Sequence, residues 1–395
     1  MATRNRIGGL ALDGAAGLGT ADKQRHDREI AVALVRWFGS VRRDLPWRGK
    51  PGAARDPWVV LVSETMLQQT QVSRVAERFE RFLRRFPDPA AMVDAGRDAV
   101  LAEWSGLGYY RRASNLHAAS VVIVDRFGGC VPRGQDDLLS LPGVGRYTAG
   151  AVGSIAFRDT VPAVDGNIQR VLMRVEGMDL PPTSREAQSW VWSRAAELVK
   201  QAPDAGEWNE GLMELGATVC TPRGPRCPEC PIRTWCRAWR SGRQEEIPAP
   251  KPRAKQPEVF HTVIVVRDGR GRLLVEQRGD GGLWAGLWQA PTIERGDRHA
   301  TRAEASTAVG VRPLRLGESF THKTTHRTVR IRVLFGDASS ESSPRRGRFL
   351  DVDEAMSLGL SSPQKRALLV GDRNGRGGSS ENAGKKKPRR ESPGR

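Results

Sequence analysis

The chain predicts two folded domains in series, the first mostly α-helical and the second α+β. Apolar residues recur at helical spacing from about 27 to 240, as in "IAVALVRWF", "WVVLVSETMLQQT", "LHAASVVIVDRF", "YTAGAVGSIAF" and "NIQRVLMRV", with short Gly/Pro breaks between them. A Pro/Lys-rich stretch, "IPAPKPRAKQP" at 247 to 257, then interrupts the pattern with a composition that cannot bury a core. Beyond it the period changes. "FHTVIVVRDGRGRLLVEQR" reads as strand, Gly-rich turn and strand, and "HRTVRIRVLFG" alternates again.

These shifts divide the 395 residues into a tail at 1–24, a helical domain at 25–245, a linker at 246–257, an α+β domain at 258–370 and a basic tail at 371–395. Each domain is long enough to bury its own core. The Gly/Ala-rich start, "IGGLALDGAAGLG", is broken by Asp13 and makes a poor export signal, so a reducing, cytoplasmic setting is expected. No apolar run approaches the ~18 residues that a membrane span needs. A formal charge of +18 and a pI near 10.6 instead favour a polyanion, nucleic acid first.

Within the helical domain, Asp56-Pro57 has the form of an N-cap followed by a proline at the first helical position. The helix it opens is apolar nearly all round and must be largely buried, with Glu64 in its middle. A desolvated carboxyl there has a raised pKa and can act as a general acid near neutral pH; a Glu on a narrow solvent stripe is the plain alternative. "LPGVGRYTAGAV" at 141 to 152 places Gly143 and Gly145 in a tight turn before a helix. Such a turn can offer backbone N–H groups to a phosphate, or can be a mere helix–helix turn. Asp165, in "AVDGNIQRVLMRV", looks like another N-cap, whose acceptor bonds favour the ionised form. One acid kept neutral and one kept charged is the pairing that glycosidic bond cleavage requires.

Four of the five cysteines, Cys220, Cys227, Cys230 and Cys236, fall in "CTPRGPRCPECPIRTWC" with spacing C-x6-C-x2-C-x5-C. Zinc and a 4Fe–4S cluster both accept four thiolates, so the count leaves both open. Cys130 stands alone and is expected to be a buried free thiol. Arg223 and Arg226 lie in the loop between the first two clustered cysteines, where they could face a phosphate backbone.

Taken together, "SETMLQQTQV", "GLGYYRRASNL", "LPGVGRYTAGAV", "AVDGNIQRVLMRV", "NEGLMELGATVC" and the cysteine spacing resemble the adenine DNA glycosylase (MutY-type) branch of the endonuclease III superfamily, over about 27 to 370. The resemblance implies a helix-hairpin-helix glycosylase domain whose four cysteines hold a 4Fe–4S cluster, followed by a Nudix-like domain. Where lyase-active relatives carry a lysine after "LPGVGR", this chain has Tyr147, which implies base removal without strand cleavage. "VDGN" in place of "VDTH" favours the adenine-removing branch.

By that likeness Glu64 protonates N7 of a flipped adenine, and Asp165 stabilises the sugar cation, directly or through a covalent intermediate. Tyr147 and Asn167 orient these groups and the water. Arg43, Leu45, Trp47, Arg48 and Glu210 match the adenine pocket, with ordinary core packing as the alternative for Trp47 and Leu67. Gln69 and Tyr109, with Leu67 and Thr70 beside them, match residues that enter the base stack. The implied substrate is double-stranded DNA holding adenine opposite 8-oxoguanine or guanine. A monomer associated with the nucleoid is the expected state.

The second domain departs from two family patterns. At the nearest match to the Nudix signature, "AEASTAVGV", Glu304 remains but Thr307 and Ala308 replace the paired glutamates, so a Mg2+ site is not expected. The family's Phe-Ser-His segment for 8-oxoguanine has two candidate registers in "FTHKTTHRTV", and Thr325 and His326 fit better than Thr321 and His322. An endonuclease III-like lyase and a non-catalytic iron–sulfur DNA-binding protein are the rival functional readings.

Overall fold

The computed structural model describes residues 20–50, 52–249, 256–338 and 346–375. The chain divides into one compact unit of Met1–Val100 with Tyr109–Ala254 and a second of Leu101–Gly108 with Lys255–Arg395. Most of the predicted tails, 1–19 and 376–395, and the linker residues 250–255 lie outside the described residues.

The first unit is helical: α1 (Thr20–Val41), α2 (Pro57–Leu67), α3 (Val72–Arg85), α4 (Pro89–Glu103), α5 (Arg111–Phe127), α6 (Gln135–Ser140), α7 (Arg146–Ile155), α8 (Gly166–Glu176), α9 (Arg185–Val199), α10 (Ala205–Thr218) and α11 (Arg237–Arg240). The caps written in the sequence are made. Asp56 accepts from the Trp58 N–H at 2.8 Å with Pro57 at the first position, Ser184 caps α9 and Asp204 caps α10. The core gathers around α8 and α10, where Ile168, Leu172, Trp208, Leu212 and Leu215 pack with Ile30 and Leu34 of α1. Gly216 lets α10 come close to the start of α8, since a Cβ there would lie 2.6 Å from the Asn167 Cβ.

Three sequence expectations need correction. Helix α1 begins at Thr20, inside the predicted tail, because its first turns lead into the apolar stripe that includes Ile30 and Leu34. Ile247, assigned to the linker, is 1% exposed in the first unit's core, and its carbonyl accepts from Arg174 Nε at 2.8 Å. Cys130 is exposed rather than buried. It follows Gly128, the left-handed cap that ends α5, and so sits in the turn that leaves the helix.

The second unit is built on a sheet of β1 (Glu258–Arg267), β2 (Leu273–Gln277), β3 (Trp288–Gln289), β4 (Thr292–Arg295), β5 (Arg315–Lys323), β6 (Thr328–Asp337) and β7 (Arg348–Leu350). The order is β3-β2-β1-β6-β5, with β4 on β1 and β7 on β2. β1 and β6 run parallel in register from Glu258↔Thr328 to Arg267↔Asp337. Residues on β1 alternate between two cores, Val263 and Val265 facing one and Ile264 and Val266 the other. That explains the unbroken apolar run: both faces of the strand are covered. Helix α12 (Arg302–Val309) contributes to one face, and α13 (Val352–Ser357) and α14 (Ser362–Gly375) to the other. α14 runs past residue 370, where the predicted tail was to begin, because Ala367 and Leu368 anchor it in the core. Glu304 binds Arg295 and Arg298 at 2.8 and 2.9 Å and closes a capping box with Thr301. The one retained Nudix carboxylate is thus used within the protein. No helix among the described residues is long and apolar enough to cross a membrane.

Candidate active site

Glu64 lies on α2, whose buried residues include Trp58 and every position from Val60 to Met66, so the solvent-stripe alternative fails. The carboxyl is 6% exposed and accepts a short hydrogen bond from the Tyr147 hydroxyl of α7. Gln68 Nε2 joins the same two helices by donating to Thr148 Oγ1 at 3.2 Å. Burial lifts the Glu64 pKa to about 7; the Tyr147 bond opposes the lift, and the nearby charges of Glu210 and Asp165 add to it. Tyr147 itself is pushed well above its usual value by burial and by the Glu64 charge, so it remains a donor.

Asp165 caps α8 as predicted. Its Oδ1 accepts from the N–H groups of Asn167 and Ile168 at 2.9 and 2.7 Å, and Oδ2 accepts from Asn167 Nδ2 at 2.9 Å. Burial raises the Asp165 pKa above the usual carboxylate value, and the bonds from Ile168 and Asn167 and the Arg170 charge oppose the rise. The residue keeps some exposure while its carboxyl tip is enclosed by protein. The division of labour between the two acids therefore rests on donors. Asp165 holds three hydrogen bonds and Glu64 one. Asn209, 1% exposed, fixes the approach to Asp165 by accepting from the Ala163 N–H and donating to the Val161 carbonyl.

Behind the acids lies an ion-pair network that sequence reasoning found only in part. Arg43 and Arg48 both bind Glu214 of α10, with Nη2 contacts of 2.9 and 2.8 Å. Arg55 forks onto Glu210 at 2.7 and 3.2 Å, while Arg48 Nε stands 3.4 Å from Glu210. Burial pushes Glu214 up, but the Arg43 hydrogen bond and the Arg48 charge reverse this and leave its pKa below the usual range. Glu214 and Arg55 carried no local signal, since both owe their importance to partners more than 150 positions away. Leu45 is half-buried, and Trp47 is a core residue packed edge-on against Phe79.

The residues read as stack-entering lie at the end of α2 and just before α5. Gln69 and Tyr109 have φ of 57° and 48°, and Tyr109 is 38% exposed. Non-glycine residues in that region are strained and persist only where their surroundings hold them. Leu67 is half-buried, and Thr70 Oγ1 accepts from Arg112 Nη2 at 2.9 Å. The predicted hairpin is present between α6 and α7. Gly143 has φ of 78°, and a Cβ there would come within 2.6 Å of the Asn115 Cβ; Gly145 caps α7 with extended backbone and gives the helix no side-chain cap.

Cys220, Cys227, Cys230 and Cys236 line one hollow together with Val171, Leu215 and Ile232. Among the described residues no three of His, Cys, Asp and Glu gather to hold a single metal ion. Burial pushes the Cys230 thiol up to about 12 and raises Cys227 and Cys236 as well, so the site favours thiolates only if a positively charged group enters it. Arg174 Nη1 reaches Cys220 Sγ at 3.3 Å. Arg170 donates from Nη2 to Asn167 Oδ1 at 2.9 Å and from Nε to the Cys220 carbonyl at 2.8 Å, so α8 joins the cysteine hollow to Asp165.

In the second unit, Thr325 and His326 are exposed at the tip of the β5–β6 hairpin, closed by Thr324 N–H to the Arg327 carbonyl at 2.9 Å. In the other register, Phe320 lies 4.1 Å under the Arg366 guanidinium and His322 leans on Trp284. Thr321, between these two residues, is exposed as well.

Both units are similar to known proteins. Residues 62–196 match the model of the HhH-GPD superfamily base excision DNA repair proteins, and residues 262–369 match the NUDIX domain. The chain is 33% identical to the adenine DNA glycosylase of Mus musculus over 397 residues, covering 85% of this chain and 76% of that one. It is 32% identical to the human enzyme of that name, covering 86% and 73%. The adenine DNA glycosylase of Mycolicibacterium smegmatis is 46% identical over 212 residues, which is 53% of this chain and 69% of the relative. Likeness of this extent spans both units, and the chain belongs to the adenine DNA glycosylases of base excision repair.

Proposed function

We propose that the chain hydrolyses the bond between adenine and its sugar where adenine stands opposite 8-oxoguanine or guanine in duplex DNA, leaving an abasic site without cutting the strand. The observation that carries this reading is the buried Glu64 carboxyl, lifted to about 7 beneath the Tyr147 hydroxyl. Glu64 donates its proton to N7 of the extruded adenine. The C1′–N9 bond breaks, its electron pair goes to the purine, and neutral adenine leaves. The Asp165 carboxylate faces the resulting sugar cation, held in place by its cap bonds and by Asn167. Water adds at C1′ and gives its proton to the carboxylate left on Glu64, which restores the acid. The hairpin N–H groups at Gly145 and beyond suit a DNA phosphate, which positions the strand without reading it. Thr325 and His326 carry the hydroxyl and imidazole suited to contacting the base opposite adenine.

The four cysteines line one hollow, and their C-x6-C-x2-C-x5-C spacing suits a 4Fe–4S cluster. A cluster held by Cys220, Cys227, Cys230 and Cys236 would supply positive charge that stabilises the thiolates and would tie down the loop carrying Arg223 and Arg226. Its role in this reading is structural.

The test is single-turnover base release from duplexes that differ only in the base opposite adenine. Release should be fastest opposite 8-oxoguanine, and equal rates opposite thymine would defeat the reading. With Tyr147 in the lyase position, borohydride should trap no covalent protein–DNA adduct. Because the acid form of Glu64 does the work, kcat/KM should fall tenfold per unit as pH rises above about 7. A profile flat from pH 6 to 9 would remove Glu64 as the proton donor.

A further inference from the structure

One side chain joins the end of α2 to the start of α5. Arg112 is 9% exposed and spreads its guanidinium over four acceptors. Nη1 donates to the carbonyls of Thr65 and Met66 at 2.8 and 2.7 Å, Nη2 donates to Thr70 Oγ1 at 2.9 Å, and Nε donates to the Tyr109 carbonyl at 3.4 Å. The same group lies 5.5 Å from the centre of the Tyr109 ring. These contacts bracket Gln69 on both sides and hold Tyr109 by its backbone and its ring. Gln69 and Tyr109 are two of the four non-glycine residues with positive φ among those described. Such backbone is strained and persists only where its surroundings hold it, so both turns require a restraint.

We propose that Arg112 is a positioning residue: its guanidinium keeps the Gln69 and Tyr109 turns preformed, so that both can enter the base stack as adenine leaves it. Thr65 directly follows Glu64, and the same fork therefore ties the turns to the helix of the acid. A lysine cannot take this place. It offers three donors on one point, whereas the acceptors here are spread around a plane. Burial lowers the Arg112 pKa to about 10, which leaves the group charged at neutral pH. The inference rests on the reading of Gln69 and Tyr109 as stack-entering residues.

The experiment compares single-turnover release of adenine paired opposite 8-oxoguanine with release of adenine opposite an abasic site, where no base pair has to be opened. Arg112→Lys and Arg112→Met should lose about tenfold to hundredfold more on the paired substrate than on the unpaired one. In a Glu64→Gln background, the fluorescence gain of 2-aminopurine placed at the adenine position should shrink by a similar factor when Arg112 is changed. Equal losses on both substrates, or an undiminished fluorescence gain, overturn the inference. Gln69→Ala and Tyr109→Ala are measured alongside. If these two show no selective loss, the stack-entering reading itself fails; if they do and the Arg112 variants do not, only the role of Arg112 fails. Should both Arg112 variants melt below the assay temperature, Thr70→Val removes one leg of the fork and is judged by the same selective loss.

Discussion

Glu64→Gln should bind lesion duplex as the parent does and release adenine about 10³-fold more slowly. The side chain keeps its shape and can still accept from Tyr147, so the loss reports the missing proton alone. The same variant should be more stable than the parent, and the sign follows from linkage. Folding lifts the Glu64 pKa from the ordinary 4.5 to about 7, which means that the folded protein holds this proton more tightly than the unfolded chain. The cost to stability is absent below the unfolded value, grows as pH rises through this window and is complete above about 7. At pH 8 it amounts to about 3 kcal/mol in a carboxyl that is 6% exposed. Thermal melts of the two proteins should therefore coincide near pH 4 and separate progressively toward pH 8. A constant offset across that range would show that Glu64 does not titrate as described.

Glu214→Gln is expected to be the most destabilising single change near the site. Its carboxylate is buried to 1% side-chain exposure and serves Arg43 and Arg48 together. Arg48 is itself 7% exposed at its side chain and would be left as an enclosed cation with a weaker partner, Glu210 at 3.4 Å. Removing one member of such a buried pair costs about 3–5 kcal/mol, far more than the pair's net contribution to folding. Denaturant unfolding should show a lower midpoint with little change in slope. A loss under about 1 kcal/mol would mean that water or Glu210 takes over the arginines, and that the network is softer than its geometry.

Much of this protein was legible in its residues because the relevant bonds are local. Asp56-Pro57 caps α2, Asp165 caps α8, Gly143 turns the hairpin, and the change of period after the linker separates the two units; each of these rests on contacts a few residues apart. The apolar surround of α2 left Glu64 either desolvated or on a narrow solvent stripe, and only the packing of the helix decided for burial. The order of the sheet was not legible, because β1 pairs in parallel with β6, about seventy residues on, and nothing local records that choice.

By itself, then, the sequence determined the two fold types, the capped helices, the identity of both acids and the grouping of four cysteines. The tertiary structure alone decided how those acids titrate and what holds them. Asp165 rises in pKa although its caps favour the ionised form, because burial is the work of every neighbouring element at once. Glu214, Arg55, Arg112 and Arg170 find their partners only after distant helices meet, and Cys130 and Ile247 exchange their expected burial for the same reason. Caps and turns are set by neighbours along the chain, whereas desolvation and ion pairing are set by neighbours in space.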